Sequence, residues 1–184
     1  MRNATFGQSC ISMTGNNGSG KPSHHNHIRN VYCHYDSVVR GTVGFKLVGT
    51  NAPADVSTNW LADSQIWNAG TPVMLDDGEQ NFLTGNFIEG LSGASTGPLV
   101  QFGPNANLNT YQGRITGANG QNGSLVSDAG TKNTFTITAD DGGSSCFNIT
   151  GTYDWLICEA TVSVPSVGTL GGSSTAIYNG QIVQ

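Results

Sequence analysis

Asp76-Asp77-Gly78-Glu79-Gln80-Asn81 and Asp128-Ala129-Gly130-Thr131-Lys132-Asn133 read as two statements of one turn, D-x-G-x-x-N. Each turn ends on an Asn that opens a short apolar run, and the same opening recurs at Asn59-Trp60-Leu61, Asn81-Phe82-Leu83, Asn109-Thr110-Tyr111 and Asn133-Thr134-Phe135, with a weaker copy at Asn26-His27-Ile28. Successive openings lie 33, 22, 28 and 24 residues apart. A loose period of this size marks stacked repeats. Within the copies a second apolar run follows (Gln65-Ile66-Trp67, Gly85-Asn86-Phe87-Ile88, Gly113-Arg114-Ile115). After a Gly/Ser/Asn-rich bend comes a third (Pro72 to Leu75, Leu99 to Phe102, Ser124 to Val126).

Three short strands and three bends per copy predict one coil of a right-handed parallel β-helix, a single-stranded solenoid of about five coils. Stacking buries a face that no coil can bury alone, and neighbouring coils at about 4.8 Å line equivalent side chains into ladders. The recurrent Asn predicts an amide ladder, and the D-x-G-x-x-N acids, Asp76 and Asp128, predict side-chain caps on their corners.

The runs from Asn81 to Gly90, Leu99 to Phe102 and Leu125 to Phe135 resemble the pectate-lyase-like β-helix of bacteriophage tailspikes and related polysaccharide-active proteins, over residues 24 to 140. The shared residues belong to corners and ladders, so the resemblance speaks to fold more than to activity. It implies a homotrimer, a place among other virion tail proteins and a host surface polysaccharide as ligand. It also implies a virion location, with assembly in the host cytoplasm and exposure outside the cell.

Composition narrows the function classes. The 184 residues carry a formal net charge of −5, 26 glycines and only 10% charged residues, beside 36% hydrophobic ones. That is too apolar for disorder. The seven Lys and Arg are scattered from Arg2 to Lys132, so no basic stripe exists for nucleic acid. No run reaches the ~18 apolar residues of a membrane span. Met1 to Phe6 runs almost directly into strand-like sequence, as in a short protein or a piece of a longer spike. Cys10, Cys33, Cys146 and Cys158 form no C-x-x-C pair, so zinc is not expected, nor any other cofactor. For a chain folding in a reducing cytoplasm the thiols are expected to be buried and free, although Cys10 and Cys33 stand about one coil apart.

The loop Asn16 to Pro22 and the insertion Gly49 to Ser57 are expected at the surface. Beyond Asp140 to Ser145 the ladder is expected to stop, dividing the chain into a β-helix (1–145) and a C-terminal β cap and trimerisation segment (146–184).

Glycan hydrolysis needs two carboxylates facing one bond. Asp63 and Glu89, from successive coils, are candidates for such a pair. Asp77, which lacks a counterpart in the second turn, is a further one, and together they carry the alternative reading of a glycan depolymerase. Sugar binding instead calls for exposed rings flanked by amides, which points to Trp67 with Asn68 and to Tyr153 and Trp155; Tyr111 is a further ring of this kind. Trp60 shares its repeat position with Phe82 and is expected in the core. His25 and His27 would face one side of an extended strand, and a threefold axis would gather their imidazoles into an octahedral metal cage. The third reading is a purely structural virion spike or decoration protein.

Overall fold

The computed structural model describes residues 9–15, 23–49, 56–89, 98–116, 123–140, 145–160 and 166–184. The loop predicted at 16–22, most of the insertion at 50–55 and the first residues of the chain lie outside the described residues. Among the described residues every regular element is a strand, and none is a helix long and apolar enough to cross a membrane. The strands join in one mostly parallel sheet that curls around a single apolar core.

Two long rows of parallel strands make most of the sheet, with a short third row through Ser23–His24, Val56–Ser57, Glu79, Asn107, Thr131 and Thr152. One runs His27–Arg29, Trp60–Ala62, Phe82–Glu89, Thr110–Thr116, Thr134–Ala139, Trp155–Ala160 and Thr175–Tyr178. The other runs Ser9–Gly15, Tyr32–Gly49, Gln65–Glu79, Val100–Asn107, Ser124–Asp128, Ser145–Ile149 and Gly168–Thr169. Strand period 2 then decides burial. In the first row Leu61, Leu83, Tyr111, Phe135, Leu156 and Ala176 stand in register and are buried. In the second, Phe45, Val73, Val100, Val126 and Phe147 do the same. Burying apolar area at roughly 25 cal/mol per Å2 is the main stabilising term.

The predicted amide ladder is present. The side-chain oxygen of each member accepts the backbone N–H of the member before it: Asn26 to Asn59 at 3.1 Å, Asn59 to Asn81 at 3.1 Å, Asn81 to Asn109 at 2.9 Å, Asn109 to Asn133 at 2.9 Å. Side-chain amides repeat the link, as Asn59 Nδ2 does to Asn81 Oδ1 at 2.9 Å. Just before each ladder residue the chain turns left-handed, at His25, Thr58, Gln80, Leu108, Lys132 and Tyr153, with φ between 54° and 60°. That conformation costs a non-glycine residue about 1–2 kcal/mol. It is held because the ladder satisfies the buried N–H that the corner exposes.

Several expectations are corrected here. The ladder does not stop beyond Asp140: Asp154 takes the Asn position and accepts from Asn133 N at 2.9 Å, and Ser174 Oγ follows at 3.1 Å from Asp154 N. Among the described residues antiparallel pairing enters only between Thr175–Tyr178 and Gln181–Val183. Short hydrogen-bonding side chains other than Asn can hold the position, which an Asn-only pattern overlooks. Nor do the two D-x-G-x-x-N turns superimpose at the acid. A register shift between Leu75 and Asp77 leaves Asp76 exposed, whereas Asp128 stands inward in register with Phe102. Asp128 does cap its corner, accepting from Gly130 N at 2.7 Å. Gly130 has to be glycine, since a Cβ there would stand 2.1 Å from the Ala106 carbonyl oxygen.

The cysteines are not free. Cys10 is bonded to Cys33 and Cys146 to Cys158, across Cα–Cα distances of 5.9 and 6.4 Å. Neither pair consists of register partners, since Cys33 pairs with Ile66 and Cys158 with Ile137 and Tyr178, so the curl of the sheet is what brings the thiols to bonding distance, and geometry overrides an expectation that rested on compartment. Trp60 is corrected too: it is in register with Phe82 as the repeat implies, but both rings face outward and stack on each other at 4.7 Å, with His27 over Trp60 at 4.8 Å. Tyr111, read as a sugar-gripping ring, is fully buried.

Candidate functional site

Outward side chains follow the same register. Tyr32, Gln65, Phe87, Arg114, Thr138 and Glu159 occupy one outer row. Next to its first members is a second left-handed corner made by Asn30 (φ 56°), Asp63 (φ 53°) and Gly85 (φ 65°). Asp63 N donates to Thr84 O at 3.0 Å and Val31 N to Ser64 Oγ at 3.1 Å, so the corner is fixed from within. At the next strand the corner vanishes: the register shifts between Tyr111 and Gly113, and Thr110–Thr116 runs straight.

The step between a cornered and a straight strand leaves an open groove of about 520 Å3, lined by Asn30, Tyr32, Asp63, Gln65, Phe87 and Arg114 among others. Its size falls within the roughly 300–1,000 Å3 of small-ligand sites. Gly85 keeps it clear, because a Cβ there would stand 2.5 Å from Asp63 Oδ1. Arg114 forms the far wall. Its guanidinium lies 6.0 Å from the centre of the Phe87 ring, and its Nε and a terminal nitrogen both reach Asp140 Oδ2, the former at 2.8 Å. Tyr32, 48% exposed, is the near wall. Tyr32, Phe87 and Arg114 were not singled out from the sequence. Lining up the second run of each copy (Gln65, Phe87, Arg114) was the signal that could have found them.

The sequence-derived candidates fall at different places. Asp63 is exposed and lines the groove. Glu89 is half-buried and in register with Trp67, four residues beyond Asp63, or up to about 13 Å along the strand. Asp77 is buried, in register with Asn105 in the other row. The register therefore does not set these three carboxylates side by side, and Asp63 is the one carboxylate among the groove's described lining residues.

Trp67 flanks the groove, its ring edge-on to His34 at 5.4 Å and to Tyr32 at 6.1 Å. Asn68 takes a left-handed turn (φ 56°) and donates its amide to Tyr35 O at 3.0 Å, a role within the fold. Tyr153 and Trp155 are 63% and 46% exposed on either side of the buried Asp154, with Trp155 in register between Thr134 and Thr175.

His25 has φ 57°, so it and His27 do not lie on one side of an extended strand. The ring of His27 covers Trp60, while the Nδ1 atoms of His24 and His25 face each other within hydrogen-bonding distance. Among the described residues no group of three or more His, Cys, Asp or Glu side chains is placed to hold a metal ion.

Chemically, the groove offers two ring faces, two amides, a carboxylate and a guanidinium, with no second carboxylate among its described lining residues for general acid–base work. Comparison of the chain with protein-family models, curated proteins and solved structures finds no match.

Proposed function

We propose that the chain is a right-handed parallel β-helix with a small C-terminal β cap, assembled as a homotrimer, and that it serves as a virion tail spike or fibre-type protein binding host cell-surface polysaccharide. The observation that carries the binding reading is the groove: Tyr32 and Phe87 beside Asn30, Asp63, Gln65 and Arg114 on a weakly charged surface. Sugars present apolar C–H faces ringed by hydroxyls, and rings flanked by amides and ionic groups complement both. Parallel pairing that returns every 20 to 33 residues along the ladder supports the helix. Two disulfides suit a protein that works outside the reducing cytoplasm. Tyr153 and Trp155 provide a second, exposed aromatic patch toward the other end of the stack.

The test is a panel of purified capsular and O-antigen polysaccharides. We expect binding to at least one, weakened about tenfold or more by Tyr32→Ala and by Arg114→Ala, the size typical of a side chain that matters at an interface. No hit, together with tight incorporation into particles, would leave the purely structural reading. Release of oligosaccharides, lost in Asp63→Asn or Glu89→Gln, would make the protein a depolymerase instead.

A further inference from the structure

Asp128 stands where the fold calls for an apolar side chain, and Asp154 where it calls for an amide. Leu47, Leu75, Phe102, Asp128 and Ile149 form one inward file in register. Asp154 follows Asn133 in the ladder. The two residues are 0% and 2% exposed.

Asn133 ties them together. Its backbone N donates to Asp154 Oδ1 at 2.9 Å, and its Nδ2 to Asp128 Oδ1 and Oδ2 at 3.2 and 3.1 Å. In the steps before it, Nδ2 reaches the next ladder oxygen, as from Asn109 to Asn133 at 3.1 Å. Here that amide is turned onto Asp128. The remaining donors are neutral: Gly130 N to Asp128 at 2.7 Å, and Ser174 Oγ to Asp154 Oδ2 at 3.2 Å.

Among the described residues the surroundings offer no buried countercharge. The sequence from residue 133 to its end contains no Lys, Arg or His. Among the packed strands, Val100–Asn107 and Gly168–Thr169 have no ionisable side chain, Ser145–Ile149 has only the disulfide-bonded Cys146, Trp155–Ala160 has Glu159 and the disulfide-bonded Cys158, and Thr175–Tyr178 has Tyr178. Lys132 and Tyr153 flank the ladder but are exposed. Two ionised carboxylates buried together without a cation would repel each other and both lack their hydration. One proton between them removes the repulsion.

We propose that Asp128 and Asp154 share a proton that latches the strands Ser145–Ile149, Trp155–Ala160 and Thr175–Tyr178 onto the stack, and that losing it in alkali loosens them. The proposal does not rest on the glycan-binding reading. Burial first, and then the neighbouring Asp154 charge, push Asp128 up to about 7, and burial raises Asp154 as well. Because the folded value lies above the unfolded one, the native state binds more protons between the ordinary carboxylate range and about pH 7. Stability is therefore full in acid, falls as pH rises through that window, and levels off above it.

Hydrogen exchange at pH 5 and pH 8.5, corrected for the intrinsic rate, tests this. These three strands are expected to lose protection selectively at pH 8.5, by up to about a hundredfold, since each of the roughly two pH units between pH 5 and about 7 is a factor of ten. Asp154→Asn and Asp128→Asn are each expected to flatten the thermal midpoint between the two pH values. An unchanged pH slope in both variants would overturn the proposal. So would uniform loss of protection across the chain, or abolition of the wild-type slope by millimolar Ca2+, which would mean that the pair holds a cation.

Discussion

Asn109→Ala is expected to destabilise the protein by about 3–5 kcal/mol, a large fraction of the roughly 5–15 kcal/mol of a typical domain. Asn109 Oδ1 accepts from Asn81 N at 2.9 Å and from Asn81 Nδ2 at 3.0 Å, while its own Nδ2 donates to Gly78 O at 2.9 Å and to Asn133 Oδ1 at 3.1 Å. Truncation leaves the Asn81 N–H and the Gly78 carbonyl without these partners inside a buried column, and each such loss costs about 1–3 kcal/mol. Asn26→Ala, at the exposed start of the ladder, is the internal control and is expected to cost about 1 kcal/mol or less, because water replaces the lost partner. Urea midpoints of the two variants decide the point. Equal losses would mean that the amides contribute no more than surface hydrogen bonds do.

Reduction of the disulfides is expected to have a comparable effect. The crosslinks span 23 and 12 residues, and the loop-closure entropy returned to the unfolded chain corresponds to about 3 kcal/mol for each. Both staples lie toward the ends of the stack, and none occurs between residues 56 and 140. Dithiothreitol is therefore expected to lower the thermal midpoint and to expose residues 9–15 and 145–160 to protease before the strands between them. A midpoint unchanged by complete reduction, verified by thiol titration, would show that packing alone holds the ends.

Much of the stacking was legible because it is written in residues that have few substitutes. The Asn openings mark buried donors and acceptors, and every one of them from Asn26 to Asn133 is a ladder member. The three apolar runs of each copy also align as read, with Val73, Val100 and Val126 in register. The ladder's continuation through Asp154 and Ser174 was hidden, because hydrogen-bonding capacity rather than residue identity defines the position. The direction of Trp60 was hidden for another reason. A strand fixes alternation but not phase, and the phase is set by Leu61 facing inward.

The groove was legible only in part. Asp63 and the flanking Trp67 stand out as chemistry-bearing types, but Tyr32, Phe87 and Arg114 come together through a register shift at Gly113 that no local pattern announces. The disulfide between Cys146 and Cys158 was missed because its 12-residue spacing is shorter than any repeat.

The central claim is that residues one repeat apart lie side by side in parallel register, and a disulfide-trapping experiment tests it most directly. Gln112 and Thr136 are register partners on the outer face, 24 residues apart in sequence. Gln112→Cys with Thr136→Cys is expected to crosslink readily under mild oxidation, since parallel neighbours at about 4.8 Å satisfy disulfide geometry. Thr110→Cys with Thr138→Cys, offset by about 13 Å along the strands, should not. Efficient trapping of the offset pair, or failure of the in-register one, would contradict the stack and the groove built on it.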